Sequence, residues 1–84
     1  MDKDEIKRLI SAGLAQAEVH VTGDDGAHFQ ALVICESFAG KRTLERHKLV
    51  YATLGEAMGR EIHALSLRTL TPSEADSGSA RGPA

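Results

Sequence analysis

The chain has little cysteine, few aromatic residues and no long apolar run, and each shortage excludes a class of protein. With a single cysteine, Cys35, no internal disulfide can form, which favours a reducing compartment. Three aromatic residues are too few for the stacking surfaces that bind single-stranded nucleic acid. No apolar stretch approaches membrane-spanning length, and the N-terminal MDKDEIKRLI lacks the pattern of a signal peptide. A cytoplasmic location is the simplest expectation.

Charge and size narrow the range of functions further. The formal net charge is −2, so no overall positive field attracts nucleic acid or membrane phosphates. Residues 73–84 are rich in Ser, Gly, Ala and Pro, and we expect them to form a disordered tail. The roughly 70 remaining residues can form one layer of helices on one sheet, which leaves little material for a deep catalytic cleft. The sequence also has no Ser/His/Asp set, CxxC pair or phosphate loop, so we expect no enzymatic activity.

The N-terminal half of the chain predicts a helix followed by two strands. Asp2 and Glu5 form a capping pair for a helix over residues 3–15. After the helix, apolar residues alternate strictly with polar ones, which predicts a first strand. A Gly/Asp-rich turn over residues 22–26 then leads to a second strand. The inward positions of the strands are Ala17, Val19 and Val21 in the first and Phe29, Ala31, Val33 and Cys35 in the second.

The C-terminal half predicts a second helix and a third strand. The helix begins at Thr43 and ends at Met58, with Gly59 as its C-terminal stop. The strand covers residues 62–70, and Pro72 prevents it from continuing. The apolar face of the second helix consists of Leu44, His47, Val50, Tyr51, Leu54, Ala57 and Met58.

The order α-β-β-α-β defines an α+β fold with a three-stranded mixed sheet. Because a helix connects the second and third strands, a right-handed crossover sets those two strands parallel. Both helices then lie on one face of the sheet. We expect their shared core to contain Ile6, Leu9, Ile10, Val50, Tyr51 and Leu54.

Three blocks of sequence carry a resemblance to a known family. They are Phe38-x-Gly40 followed by the run from Arg46 to Tyr51 (RHKLVY), the later IHALSL at residues 62–67, and Thr71-Pro72. Together they resemble the BolA-like family over residues 3–72, which predicts a BolA-like domain at 1–72 and the tail at 73–84. The short loop before His28 is similar to that of the acid-tolerance branch of the family.

The resemblance implies a fold and a function that composition and periodicity do not supply. The implied fold is similar to type II KH domains. The implied partner is a monothiol glutaredoxin, with which family members share a [2Fe-2S] cluster completed by glutathione. Members are also described as transcriptional regulators. Whether the isolated chain forms a homodimer is left open by the sequence.

Two histidines are candidate metal ligands. His63 matches the histidine that the family uses as an iron ligand; without the resemblance, a strand-end histidine bonded to a backbone carbonyl is the better explanation. His28, at the start of the second strand, is the candidate second ligand. Asp25 occupies the loop position where many members carry Cys or His, but carboxylates suit iron–sulfur clusters less well. The second ligand is therefore His28, Asp25 or a group supplied by the partner.

No ligand role is predicted for the remaining histidines or for the cysteine. His47 is in phase with the apolar face of the second helix, and we expect a packed, hydrogen-bonded core residue. His20 lies on the polar side of the first strand. Cys35 falls in the buried phase of the second strand, whereas a ligating thiolate needs exposure and a positive environment.

A local group of cations precedes and opens the second helix. Lys41, Arg42 and Arg46, with Lys48 nearby, form either a solvated helix face or a docking surface for an acidic partner or a phosphate backbone. Nucleic-acid binding is the second hypothesis for the whole chain. Against it, KH domains grip nucleotides with a G-x-x-G loop, and here Gly40 is followed by Lys41, Arg42 and Thr43 without a second glycine.

Overall fold

The computed structural model describes residues 1–23, 25, 28–60, 62 and 64–76. None of the helices in this part of the chain is both long enough and apolar enough to cross a membrane. The elements are α1 (Lys3–Gly13), β1 (Glu18–Thr22), β2 (His28–Ile34), α2 (Thr43–Leu54), β3 (Ala64–Leu70) and α3 (Pro72–Asp76), with 3-10 turns at Glu36–Phe38 and Gly55–Ala57.

The sheet has the predicted order and directions. β2 lies between β1 and β3, antiparallel to the first and parallel to the second. Val19 pairs with Val33 across the antiparallel ladder, and Phe29 pairs with Leu65 across the parallel ladder. Paired residues share a face of the sheet, so these four side chains form part of one apolar surface.

The core lies between that surface and the two long helices. α1 contacts both β1 and α2, and α2 contacts β3, so both helices cover the same face, as predicted. Gly13 allows the helices to approach closely, because a Cβ at this position would lie 2.5 Å from Cγ2 of Thr53. Of the predicted helical core residues, Ile6, Ile10, Val50 and Leu54 are buried, and Leu9 is partly buried against them.

Tyr51 and two other residues of the predicted apolar face of α2 do not reach the core. The side chain of Leu44 is 66% exposed and that of Tyr51 is 37% exposed. His47 is half-buried, and its ring meets the Tyr51 ring edge-on with centroids 6.3 Å apart. The predictions of a core Tyr51 and a core His47 are therefore wrong. The face of α2 that contacts α1 and the sheet is narrower than the helical spacing suggests, and its fully buried residues are Val50 and Leu54.

Several predicted boundaries are also corrected. α1 ends at Gly13 rather than residue 15, because Leu14 is already extended. α2 ends at Leu54 rather than Met58, because Gly55 adopts φ 56° and ψ −132°, a conformation outside the helical region that glycine adopts readily. β3 begins at Ala64, and Ile62 forms only an isolated bridge with Met58.

The predicted boundary at residue 72 falls inside an ordered helix. Pro72 does end the strand, but it also opens α3, where its fixed φ and missing N–H suit the first helical position. Glu74 Oε1 accepts a hydrogen bond from the Thr71 N–H at 2.9 Å, and Thr71 Oγ1 accepts one from the Glu74 N–H at 3.1 Å. This reciprocal capping box holds residues that were predicted to be disordered. Residues 77–84 of the predicted tail lie outside the described residues.

Leu54→Ala tests the core. The substitution removes a buried side chain at the junction of α2 with the rest of the core, and we expect it to lower the free energy of unfolding by about 2–5 kcal/mol. Leu44→Ala is the matched control in the same helix, and because Leu44 is exposed we expect a change within about 0.5 kcal/mol. Urea denaturation measures both, and equal losses for the two variants would contradict the described packing of α2.

Candidate functional site

His28 and Asp25 form a defined pair at the beginning of β2. Asp25 Oδ1 accepts a hydrogen bond from the His28 backbone N–H at 2.8 Å, and Asp25 Oδ2 lies 2.7 Å from His28 Nδ1. Both side chains are open to solvent, with 66% of His28 and 57% of Asp25 exposed. The pair therefore presents an anchored imidazole on the surface.

The beginnings of β2 and β3 place this pair at one edge of the sheet. In the parallel register His28 lies opposite Ala64, whose small side chain is exposed. A shallow concavity of about 470 Å³ lies here and is lined in part by Asp25, His28 and Ala64. The absence of a side chain at Gly23 lets the backbone lie against β2, since a Cβ at this position would lie 2.6 Å from Cδ1 of Phe29.

His63, the first candidate ligand, lies outside the described residues. Its chain neighbour Ala64 is described and lies opposite His28. In the part of the chain that the structure describes, no group of three or more His, Cys, Asp or Glu side chains is arranged to hold a metal ion. Among the described residues, Asp25 lies beside His28, the second candidate, and no third side chain is placed to bind the same metal ion.

Cys35 and His20 lie away from this edge. Cys35 is 1% exposed, as predicted for a core residue, and its Sγ lies 3.9 Å from the carbonyl oxygen of Ala15. His20 is on the helix-free face of the sheet, where Nε2 lies 2.6 Å from Oε2 of Glu18. Both positions agree with the predictions of a core cysteine and of a histidine on the polar side of the first strand.

Comparison with known proteins decides the family. The family model described as BolA-like protein matches residues 8–74, which is most of the chain. The chain belongs to the BolA-like family.

Relatives of this BolA-like chain include an acid stress protein and a transcriptional regulator of the same bacterium. The acid stress protein IbaG of Escherichia coli K12 is 37% identical over 75 residues, which cover 88% of each chain. The DNA-binding transcriptional regulator BolA of the same strain is 36% identical over 55 residues, covering 66% of this chain and 52% of that protein. The similarity to IbaG agrees with the predicted acid-tolerance branch.

A solved BolA structure shows the same fold. The structure of a bolA protein homologue from Coxiella burnetii has a TM-score of 0.82 and 45% sequence identity, covering 90% of this chain and 97% of that chain. The three-stranded mixed sheet with its helices is therefore the BolA architecture.

Arg46, predicted to be part of a docking surface, is used inside the BolA-like domain. Its side chain is only 12% exposed. It donates hydrogen bonds to the carbonyl oxygens of Lys41 and Thr69, and it forms a two-bonded ion pair with Glu74 at 2.7 and 3.0 Å. Its guanidinium carbon also lies 5.8 Å from the centroid of the Phe38 ring. The prediction for Arg46 is corrected, because a guanidinium held by these groups is not available to a partner.

The ion pair changes the acid–base behaviour of both groups. The hydrogen bond from Arg46, helped by the backbone N–H of Thr71, lowers the pKa of Glu74 to about 2. The same hydrogen bond raises the pKa of Arg46. The charged forms of both side chains are therefore stabilised in the folded domain.

The other predicted docking residues remain on the surface. Lys41, Arg42 and Lys48 are exposed around the first turns of α2. The backbone N–H of Arg42 donates a hydrogen bond to Oε1 of Glu45 at 2.9 Å, so Arg42 takes part in the helix cap through its backbone. The surface patch consists of Lys41, Arg42 and Lys48, without Arg46.

Glu74 is the residue that the sequence prediction missed. A signal for it was present, since Thr71-Pro72-Ser73-Glu74 is a capping-box pattern with proline at the first helical position. Compositional bias toward Ser, Ala and Gly directed the prediction to disorder instead. The partner of Glu74 lies 28 residues away, and no local pattern identifies it.

Glu74→Gln tests whether α3 is fastened by the ion pair. The ordinary pKa of this carboxyl is 4.5 and its folded value is about 2, so its charge stabilises the fold above pH 4.5. That contribution is lost as pH falls through about 2. We expect Glu74→Gln to unfold at lower temperature than the parent at pH 7, and the difference to shrink between pH 4.5 and pH 2.

Glu56→Gln is the control for that measurement. Glu56 pairs with Arg60 at 3.4 Å, with both side chains largely exposed, and exposed pairs contribute little to stability. Melting temperatures across the pH range measure both variants. A Glu74→Gln profile that follows the Glu56→Gln profile at every pH would show that the Arg46–Glu74 pair does not hold α3.

Proposed function

We propose that this BolA-like chain is a non-enzymatic adaptor that pairs with a monothiol glutaredoxin in the cytoplasm and shares a [2Fe-2S] cluster with it. Its role would be cluster trafficking or iron and redox sensing. The observation that carries the proposal is the exposed, anchored imidazole of His28 at the edge of the sheet, opposite the residue that follows His63 in the chain.

The ligand chemistry suits a shared group. A neutral imidazole is a good iron ligand, and the ring of His28 is accessible to a second protein. As the resemblance to the family implies, the cysteine of the glutaredoxin and its glutathione would complete the iron coordination. When bound, the cluster supplies a redox-active centre whose potential depends on its ligands. The chain itself holds and orients the imidazole.

A non-enzymatic role is supported by the surface and by the relatives. The concavity beside His28 is shallow and open, which suits a docking partner better than a substrate that must be shielded from water. The relatives carry the names of an acid stress protein and of a transcriptional regulator, neither of which is the name of an enzyme. Lys41 and Arg42 offer exposed positive charge for docking an acidic partner surface.

His63→Ala tests the proposal. We expect the apo variant to remain folded, and the complex with a monothiol glutaredoxin to show altered visible absorption and circular dichroism and faster cluster loss. The reason is that the properties of a cluster respond directly to the identity of its ligands. We expect His28→Ala to give a smaller change of the same kind.

His20→Ala is the control for these variants. His20 is also an exposed histidine with a carboxylate partner, but it lies on β1 opposite Leu32, four residues along β2 from His28, so its loss should leave the cluster spectrum unchanged. If the His63→Ala and His28→Ala complexes both keep the parent spectrum and the parent cluster lifetime, neither histidine is a cluster ligand and the cluster-sharing proposal is wrong.

Nucleic-acid binding is the second candidate function. The relative named as a DNA-binding transcriptional regulator and the exposed patch of Lys41, Arg42 and Lys48 favour it. Such a patch would contact phosphates, which gives binding that depends on salt and little on base sequence.

Arg42→Ala distinguishes this function. If the patch binds duplex DNA, Arg42→Ala should bind DNA of any sequence more weakly than the parent does. The slope of the log binding constant against the log salt concentration should also become shallower by about one unit. Arg8→Ala, which removes an exposed arginine from α1, is the charge-matched control. Fluorescence anisotropy at several salt concentrations measures the slopes, and identical slopes for the parent and both variants would exclude the patch as a phosphate-binding surface.

A further inference from the structure

We infer that Asp25 is a positioning residue that holds His28 in the tautomer whose Nε2 binds the iron of the shared cluster. This inference rests on the proposed function and deepens it. Three sources for the second ligand are open from the sequence: His28, Asp25 and the partner protein. The geometry points to His28, with Asp25 acting through it.

Both oxygens of Asp25 are directed at His28. Oδ1 accepts the backbone N–H at 2.8 Å, and Oδ2 lies 2.7 Å from Nδ1. The two contacts join one carboxylate to the backbone and to the ring of the same residue, which restrains rotation of the ring relative to the strand. A carboxylate engaged in this way is less suited to bind iron, and as a hard oxygen ligand it is already poorly matched to a cluster.

The contact with Nδ1 decides which nitrogen is free to ligate. An ionised carboxylate can only accept hydrogen bonds, so Nδ1 must carry a proton. In the neutral ring the lone pair is then on Nε2. This is the tautomer in which a histidine binds a metal through Nε2 while its Nδ1–H donates a hydrogen bond to a carboxylate. Because two-thirds of the His28 side chain is exposed, a group held by a partner can approach it.

A second histidine–carboxylate pair among the described residues has the opposite arrangement. Glu18 Oε2 meets Nε2 of His20, at 2.6 Å, and not Nδ1. A carboxylate on Nε2 occupies the outer nitrogen, so the His20 ring is not set up to ligate through it. The two pairs have similar chemistry and exposure, and they differ in the nitrogen that the carboxylate contacts.

Stability alone does not account for the Asp25–His28 pair. Exposed pairs of this kind contribute little to the free energy of folding. Asp25→Asn should therefore leave the fold intact while changing the ring. An amide has one carbonyl oxygen where the carboxylate has two, so when that oxygen accepts the backbone N–H, its NH₂ group faces Nδ1 and favours the tautomer with the proton on Nε2.

The first experiment is ¹⁵N NMR of the histidine rings in the apo domain, with the His28 signals assigned from their loss in His28→Ala. We expect the parent to show the Nδ1–H tautomer at His28 and Asp25→Asn to shift toward the Nε2–H tautomer. His20 should not change in Asp25→Asn. A parent His28 that is protonated on Nε2 and not on Nδ1 would overturn the inference, whatever the cluster measurements show.

The second experiment compares cluster loss from the complexes of the parent, Asp25→Asn, His28→Ala and Glu18→Gln with a monothiol glutaredoxin. Loss of the partner that orients a ligating histidine typically weakens metal binding by about 10- to 100-fold. We expect Asp25→Asn to shorten the cluster lifetime toward that of His28→Ala. Glu18→Gln, the matched control at the other pair, should behave as the parent.

The outcomes separate this inference from the proposed function. If His28→Ala changes the cluster while Asp25→Asn does not, His28 ligates without help from Asp25 and the positioning role is wrong. If Asp25→Asn changes the cluster and His28→Ala does not, Asp25 itself is the ligand and the inference is again wrong. If His63→Ala alters the cluster and neither of the other variants does, cluster sharing stands and the inference falls.

Discussion

Strand β2 is hydrogen-bonded along both edges, antiparallel to β1 and parallel to β3, and the rest of the domain depends on this pairing. A parallel neighbour cannot be reached by a short turn, so the chain between β2 and β3 has to cross over one face of the sheet. α2 makes that crossing on the face that α1 already covers, and the two helices meet where Gly13 lies against Thr53. The apolar side chains of the sheet and of both helices are then removed from water together.

The same pairing creates the candidate site. In a parallel pair the two strands begin at the same edge of the sheet, so the register that joins Phe29 to Leu65 also sets His28 opposite Ala64. The turn that enters β2 supplies Asp25, whose carboxylate holds the backbone and the ring of His28. The starts of β2 and β3, far apart in the chain, are thereby brought to one edge. We propose that this edge is where the domain offers ligands to a group shared with a partner.

Arg46 shows how a charged residue can be removed from the surface by the fold. It stands in a run of cations at the beginning of α2, but its guanidinium bonds to carbonyl oxygens of the preceding loop and of β3 and to the carboxylate of Glu74. The planar guanidinium can satisfy several acceptors at once, which a lysine ammonium cannot do in the same geometry. The result is a junction of α2, β3 and α3. The exposed positive charge in this run is that of Lys41, Arg42 and Lys48.

The order of the two long helices and three strands, the mixed sheet and the resemblance to the family could all be predicted from the sequence alone, whereas α3 could not. Alternation in the strands and helical spacing in α1 are local patterns, and the crossover rule converts their order into a topology. The buried state of Cys35 followed from the same alternation. Only the tertiary structure decided that Leu44 and Tyr51 remain exposed, because the width of the buried face of α2 depends on the elements packed against it. It also decided that α2 stops at Gly55 and not at Gly59, that Arg46 pairs with Glu74, and that Asp25 contacts Nδ1 of His28. These features depend on distances between particular atoms, several of them in residues far apart in the chain, and periodicity and composition carry no information about such distances.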